Sequence, residues 1–458
     1  MTTRVSFMLI TLLGFCGLSC TSHAELAVYP GAAEHLRSPL YTVTVEQGGV
    51  AQESFVYVDH NQNKDALHGK MAEANHFSTF SFSGKVRVTV KRVGKPVEQV
   101  KLSPRALAPD YELKAGGVSF VLEKPAKLWV AVEGAERNPL FIFADPPETN
   151  IPDRQNPNVL WFAAGRIHEV GERCMLKSGQ TVYIEGGAYV KGSFYGKNVS
   201  NVTVRGRGIL SGIDIARKPG VAGIPWNLIQ LDGQGDGQLV EGLTLIDPPH
   251  FCVLSRGKLA ARNLKLFGWW HQTDGWGGGD GSSLEDSFLK VNDDSVKLYG
   301  RDQRVSRLVI YQQINGAPFQ LGWGGVSQSA TNCVVESVDI IHSDAVQKKG
   351  EVNQALVSLM SQHPDSVIRN VVLKQVRVES DISNILGFKQ VGGRIEGLHL
   401  VDWTFQGSIL RPSYLRCVDK GRISGLVFSG CGDKQGPRTA SRPFEVLLEG
   451  AVEAPIYK

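Results

Sequence analysis

Several features that mark large functional classes are scarce in this chain. No Lys/Arg-rich run occurs in its 458 residues, and the formal net charge is only +4. The basic patch that phosphate binding requires is therefore missing, and nucleic acid is disfavoured as a partner. No C-x-x-C pair occurs among its 7 cysteines, which removes the common zinc and dithiol spacings. After residue 24 no apolar run reaches the length of a membrane span. Gly277-Gly278-Gly279 lacks the strand-to-helix setting of a phosphate loop, which argues against nucleotide binding.

Apolar residues do gather at the start. Arg4 precedes an apolar run from Val5 to Leu18, and Ser22-His23-Ala24 fits the small-x-small pattern before a cleavage point. Residues 1–24 are thus expected to be a signal peptide, placing the product in the secreted or periplasmic space. A lipoprotein modified at Cys20 is the rival, with Gly17-Leu18-Ser19 an imperfect approach to it. Beyond this segment lie Cys174, Cys252, Cys333, Cys417 and Cys431, an odd number best read as free thiols acting as small hydrophobes.

With 51 glycines and many short alternating apolar segments, the chain reads as all-β. From 25 to 145 the alternation of Tyr41-Thr42-Val43-Thr44-Val45 and Val86-Arg87-Val88-Thr89-Val90 suits an antiparallel β-sandwich. A Pro-rich linker follows at 146–157. From 158 to 458 a different unit recurs, as in Val240-Glu241-Gly242-Leu243-Thr244-Leu245 and Ala261-Arg262-Asn263-Leu264-Lys265-Leu266. Its small or polar marker falls at 242, 263, 287, 307, 337, 370, 397 and 425, intervals of 20 to 33 residues. Such periods belong to solenoids, and a right-handed parallel β-helix is expected, with the sandwich capping one end of the stack.

In a solenoid, residues one coil apart become neighbours. His271-Gln272-Thr273-Asp274-Gly275-Trp276 and Asn292-Asp293-Asp294-Ser295-Val296-Lys297 would then bring Asp274, Asp293 and Asp294 to one wall. Clustered carboxyls raise one another's pKa, so that one of them can stay protonated. Paired carboxyls facing a cleft are the equipment for acid/base cleavage of a glycosidic bond. Read without their surroundings, the same acids would suit Ca²⁺ or turn capping. The indoles of Trp269, Trp270, Trp276 and Trp323 nearby favour sugar, because their faces stack on apolar sugar faces. Trp276, Trp323, Gln320, Lys297, Tyr299 and His271 are the candidate substrate-binding residues, and His342 is a further candidate for orienting a carboxylate. No cofactor or metal is called for, and the expected partner is a polysaccharide acted on by a monomer.

Thr273-Asp274-Gly275 followed by Asn292-Asp293-Asp294-Ser295-Val296-Lys297-Leu298 resembles the paired motifs of β-helical glycoside hydrolases, the polygalacturonases among them. It is more similar to glycoside hydrolase family 49, the dextranases and isopullulanases, as is Gln320-Leu321-Gly322-Trp323. That resemblance implies a sandwich before a β-helix, Asp293 as general acid, and Asp274 and Asp294 activating water, with inversion at the anomeric carbon. An acid and base roughly 6.5–9.5 Å apart is then expected. The Gly-His-Gly and Arg-x-Lys of polygalacturonases are missing after Asp294, which disfavours pectate. An α-glucan is implied first, with a sulfated algal glycan left open by Lys297, Lys348 and Lys349. A lyase and a non-catalytic glycan-binding solenoid are the rival readings.

Overall fold

The computed structural model describes residues 25–63, 71–114, 116–216, 227–233, 236–324, 329–347 and 352–458. The leader segment with Cys20, and Lys348 and Lys349, lie outside the described residues.

Between Leu26 and Asp145, eleven strands form a six-stranded and a five-stranded sheet. The five-stranded sheet is antiparallel throughout, with Tyr41–Gln47 between Val50–Ser54 and Val86–Arg92. Its alternation is the one read from the residues. Val43, Val45, Val86, Val88, Val90, Val118 and Phe120 turn into a common core with Phe80, Phe82, Leu128, Val130, Leu140 and Ile142 of the other sheet. The six-stranded sheet contains one parallel pair, Ala74–Phe82 with Leu140–Asp145.

Leu140-Phe141-Ile142-Phe143-Ala144-Asp145 does not alternate at all, and all six residues are buried. Leu140 and Ile142 fill the sandwich, whereas Phe141 and Phe143 point the other way. There they meet Phe267 and Phe288, with ring centroids 4.9 Å apart for Phe141 and Phe288. Tyr189, Ile209, Ile246, Phe267, Phe288, Val309, Tyr311 and Ile341 come from successive coils and form a single apolar cluster with this sheet. The sandwich therefore lies along the flank of the stack and does not cap its end, correcting the expectation. An outward apolar residue on coil after coil demands lateral cover, because leaving that area in water is unfavourable.

From Val159 onward thirty strands form one continuous sheet in which each coil pairs with the next. Among the described residues, every strand pairing in this sheet is parallel except the short Gly432–Pro437 hairpin. This is the topology of a parallel β-helix. Three columns of strands wind round an interior filled by Val182, Val204, Val240, Ala261, Leu284, Val305 and their neighbours.

The recurring small or polar marker has a backbone cause. Gly242, Asn263, Arg307, Ser337, Asn370, Gly397 and Gly425 all have positive φ, the first two at a corner between two strands and the other five at a bend within one longer strand. Gly and Asn tolerate that left-handed region best. In the coil marked at 287 the corner is Asp286, at φ 50°, and not Ser287 as the pattern suggested. Arg307 takes the strained conformation while paired to Asp286 and Glu285 of the coil before. The five cysteines of the described residues are all free, with Cys252, Cys333 and Cys431 buried.

Candidate active site

One column of the β-helix carries the site. Its register runs Val253, Trp276, Val296, Phe319, Val357, and in the next position Leu254, Gly277, Lys297, Gln320, Ser358. Side chains alternate along a strand, so the first row enters the core and the second faces out. Just before the strands, Gly275 N donates to Asp294 O and Ser295 N to Ala317 O, which stacks Asp274 directly beneath Asp294. Gly275 is small for a reason: a Cβ there would lie 2.4 Å from the Ser295 carbonyl oxygen. At Gly316, φ 82°, an added Cβ would likewise lie 2.1 Å from the Asp293 carbonyl carbon.

The three carboxyls converge, with one oxygen of each of Asp274, Asp293 and Asp294 within 4.8 Å of the others. Such a set could hold a divalent cation. Lys297 already fills that place, its Nζ 2.9 Å from Asp274 Oδ1 and 3.0 Å from Asp294 Oδ2. Burial pulls the Lys297 ammonium down, but Asp274 and Asp294 overcome it and hold the group well above its ordinary range. Asp294 is sealed, its side chain 1% exposed. It accepts from Ala317 N at 3.0 Å and from Gln320 Nε2 at 3.1 Å. Asp274 is also buried. Burial, then Asp293 and Asp294, push its carboxyl well above the usual range against the pull of Lys297.

Asp293 differs from both by being half-buried. Burial first, and then the charge of Asp294, raise its carboxyl to about 6, although Lys297 and two backbone amides oppose the rise. Those amides are Gln272 N, at 2.7 Å, and Asp294 N, at 3.0 Å. The site thus holds a reachable carboxyl poised to keep a proton near neutrality beside two sealed carboxyls bridged by an ammonium. Such an arrangement can give up a proton at one point and accept one close by.

No family model matches the chain. Over 295 residues it is 25% identical to a dextranase of Arthrobacter globiformis, covering 55% of this chain and 46% of that protein. Over 427 residues it is 23% identical to an isopullulanase of Aspergillus niger, covering 76% of this chain and 75% of the relative. Dex49A from Penicillium minioluteum superposes with a TM-score of 0.67 over 91% of this chain and 92% of the other, at 17% identity. The chain is dextranase- and isopullulanase-like. It spans about half the length of the Arthrobacter dextranases, at 46%.

In this dextranase-like chain the candidate residues divide by register. Asp274, Asp293, Asp294 and Lys297 come together. Trp276 does not join them: at 0% exposure it sits inside the β-helix between Val253 and Val296, on the inward parity. Gln320 is on the outward row but 0% exposed, and its amide is used on Asp294 and Asn353. It orients a carboxylate and is shut off from a sugar. Trp323 is 49% exposed at the end of the Phe319–Gly322 strand. His271 is exposed on the loop before Asp274. The Tyr299 ring lies 5.7 Å from Lys297 Nζ, with Phe251 at 5.4 Å on another side. His342 bonds Asp344 at 3.0 Å and packs on Tyr311 and Trp129 at the sandwich junction, away from the acids. The nearest carboxyl oxygens, within 4.8 Å of one another, follow the spacing of stacked coils, about 4.8 Å.

Residues that pattern reading missed surround the acids. Asn292 is fully buried, donates to the Trp269 carbonyl at 2.8 Å and accepts from Asn315 N at 3.1 Å. Trp269, counted above as a sugar platform, is 1% exposed. The findable signal was Asn292 immediately before the acid pair, since a buried Asn must find hydrogen-bond partners.

Proposed function

We propose that the chain is a secreted glycoside hydrolase that cleaves α-glucan by general acid/base catalysis. The observation that carries this reading is the reachable, high-pKa Asp293 beside the Asp274–Lys297–Asp294 bridge. The similarity to dextranases and to isopullulanase supports the substrate class, and the apolar leader supports secretion. Among the described residues, no helix is long and apolar enough to cross a membrane.

In the proposed cycle the close carboxyls share a proton that rests on Asp293 in the reactive form. Asp293 gives it to the glycosidic oxygen as the bond to the anomeric carbon breaks. A water attacks that carbon and its proton passes to the Asp274–Asp294 pair, returning afterwards to Asp293. Lys297 stays charged throughout and keeps the pair able to accept. Inversion rests on the family resemblance alone.

The test is hydrolysis of dextran and pullulan, with the anomer of the first product followed by proton NMR. New reducing ends that appear first as the β anomer, at a rate unchanged by EDTA, are expected. An α anomer would replace inversion with double displacement. An unsaturated product abolished by EDTA would replace hydrolysis with elimination.

A further inference from the structure

The loop that leads into Asp274 is held from outside the β-helix. Trp269 Nε1 donates to Asp59 Oδ2 at 2.9 Å, and the same oxygen accepts from Asn75 Nδ2 at 3.0 Å. Asp59 and Asn75 face each other on paired strands of the sandwich. The Trp269 carbonyl accepts from Asn63 Nδ2 of the sandwich at 3.1 Å and from Asn292 Nδ2 at 2.8 Å. The indole itself packs with Met71, Ala72 and Ile314. Lys290 Nζ lies 4.5 Å from the ring centroid.

Two of these contacts lead straight to the acids. Asn292 immediately precedes Asp293, and its amide ties Trp269 to Asn315 across three coils, each bond spanning 23 residues. Ile314 lies two residues before Gly316, the residue against the Asp293 backbone. At the other end of the loop, Gln272 N donates to Asp293 Oδ2. Trp269 is thus fastened on one side to the sandwich and on the other to both acid-bearing loops.

We propose that the N-terminal sandwich is part of the catalytic machinery, acting through Asp59 and Asn63 on Trp269, a positioning residue that sets Asp293 against Asp274. This rests on the hydrolase reading for its kinetic consequence, though not for its structural one. A shift of about 1 Å in a reacting group can cost 10²-fold in rate, and a buried indole bonded at both its N–H and its carbonyl resists such a shift. The contacts also give the sandwich a purpose beyond covering apolar area.

Trp269→Phe keeps a ring in the pocket but removes the N–H together with part of the buried indole, while Asn63→Ala removes the second sandwich bond and leaves the indole whole. Each is expected to lower kcat on dextran by roughly 10- to 100-fold with KM within about twofold; the melting temperature should fall for Trp269→Phe, which leaves a cavity, and stay nearly unchanged for Asn63→Ala. In both, amide hydrogen exchange at Gln272 and Asp294 is expected to quicken by about tenfold or more while the rest of the β-helix keeps its protection. Unchanged kcat and unchanged exchange at those two amides overturn the proposal. So does a loss of activity that tracks faster exchange throughout the molecule, which would make the contacts merely structural. If wild type hydrolyses no glucan, the hydrolase reading fails separately, and the two amides decide the clamp.

Discussion

At the scale of single residues, the chemistry turns on how burial and charge divide three aspartates into different states. Asp293→Asn keeps the shape and removes the transferable proton. Loss of general acid catalysis contributes roughly 10²–10⁴-fold, and a fall of that order in kcat/KM is expected with little change in binding. Because the Asp293 carboxyl is raised to about 6, wild-type activity should fall as pH climbs through that value and the donor ionises. The same sign governs stability. A carboxyl raised in the fold binds its proton more tightly there, so its contribution is present at low pH and lost as pH rises through about 6. Asp293→Asn should therefore melt higher than wild type at pH 7, the gap closing as pH falls towards 4, by calorimetry. Lys297→Met makes the opposite case. Removing one partner of a buried ion pair costs about 3–5 kcal/mol, and Lys297 serves two sealed carboxylates. A large loss in denaturant stability, together with near-complete loss of activity, is expected. Stability unchanged within error would show that the bridge is not formed in solution.

For the strands and loops, parity is what separates the tryptophans. Trp276 occupies the inward row and is fully buried. Trp276→Ala should cost about 3–5 kcal/mol in chemical denaturation. Trp323, half-exposed at a strand end, should tolerate Ala within about 0.5 kcal/mol while KM for dextran rises; a rise in KM for neither substrate nor oligosaccharide would remove Trp323 from the cleft. The period of the coils was legible because left-handed corners recruit Gly and Asn, as at Gly242, Asn263 and Asn370. The one misplaced marker, Ser287 for Asp286, shows the limit of the pattern, since Asp also tolerates that corner. Inward and outward facing was not legible for Trp276: its strand is only two residues long, too short to display an alternation.

For the whole molecule, the decisive contact is sandwich against flank. A chain lacking residues 25–145 would expose Tyr189, Ile209, Ile246, Phe267, Phe288 and Tyr311 in one continuous strip. Patches of that kind drive association, so no soluble monomer is expected by light scattering. A well-behaved truncated monomer would mean that the flank contact is dispensable. Phe141 and Phe143 face away from the sandwich core in a strand without alternation. That was the sequence clue to a second buried face, and it was read only as part of a sandwich.

The residues alone determined the all-β class, the change from alternation to a coil period near residue 158, and the three acids that meet. Each is local or periodic, so the covalent order of side chains already carries it. Only the tertiary structure decided which indoles are exposed, that Lys297 bridges Asp274 and Asp294, and that Asp59 and Asn63 hold Trp269 from outside the β-helix. Those depend on distances across coils and between sheets. Such distances are set when separate apolar surfaces dock, and no spacing along the chain encodes them.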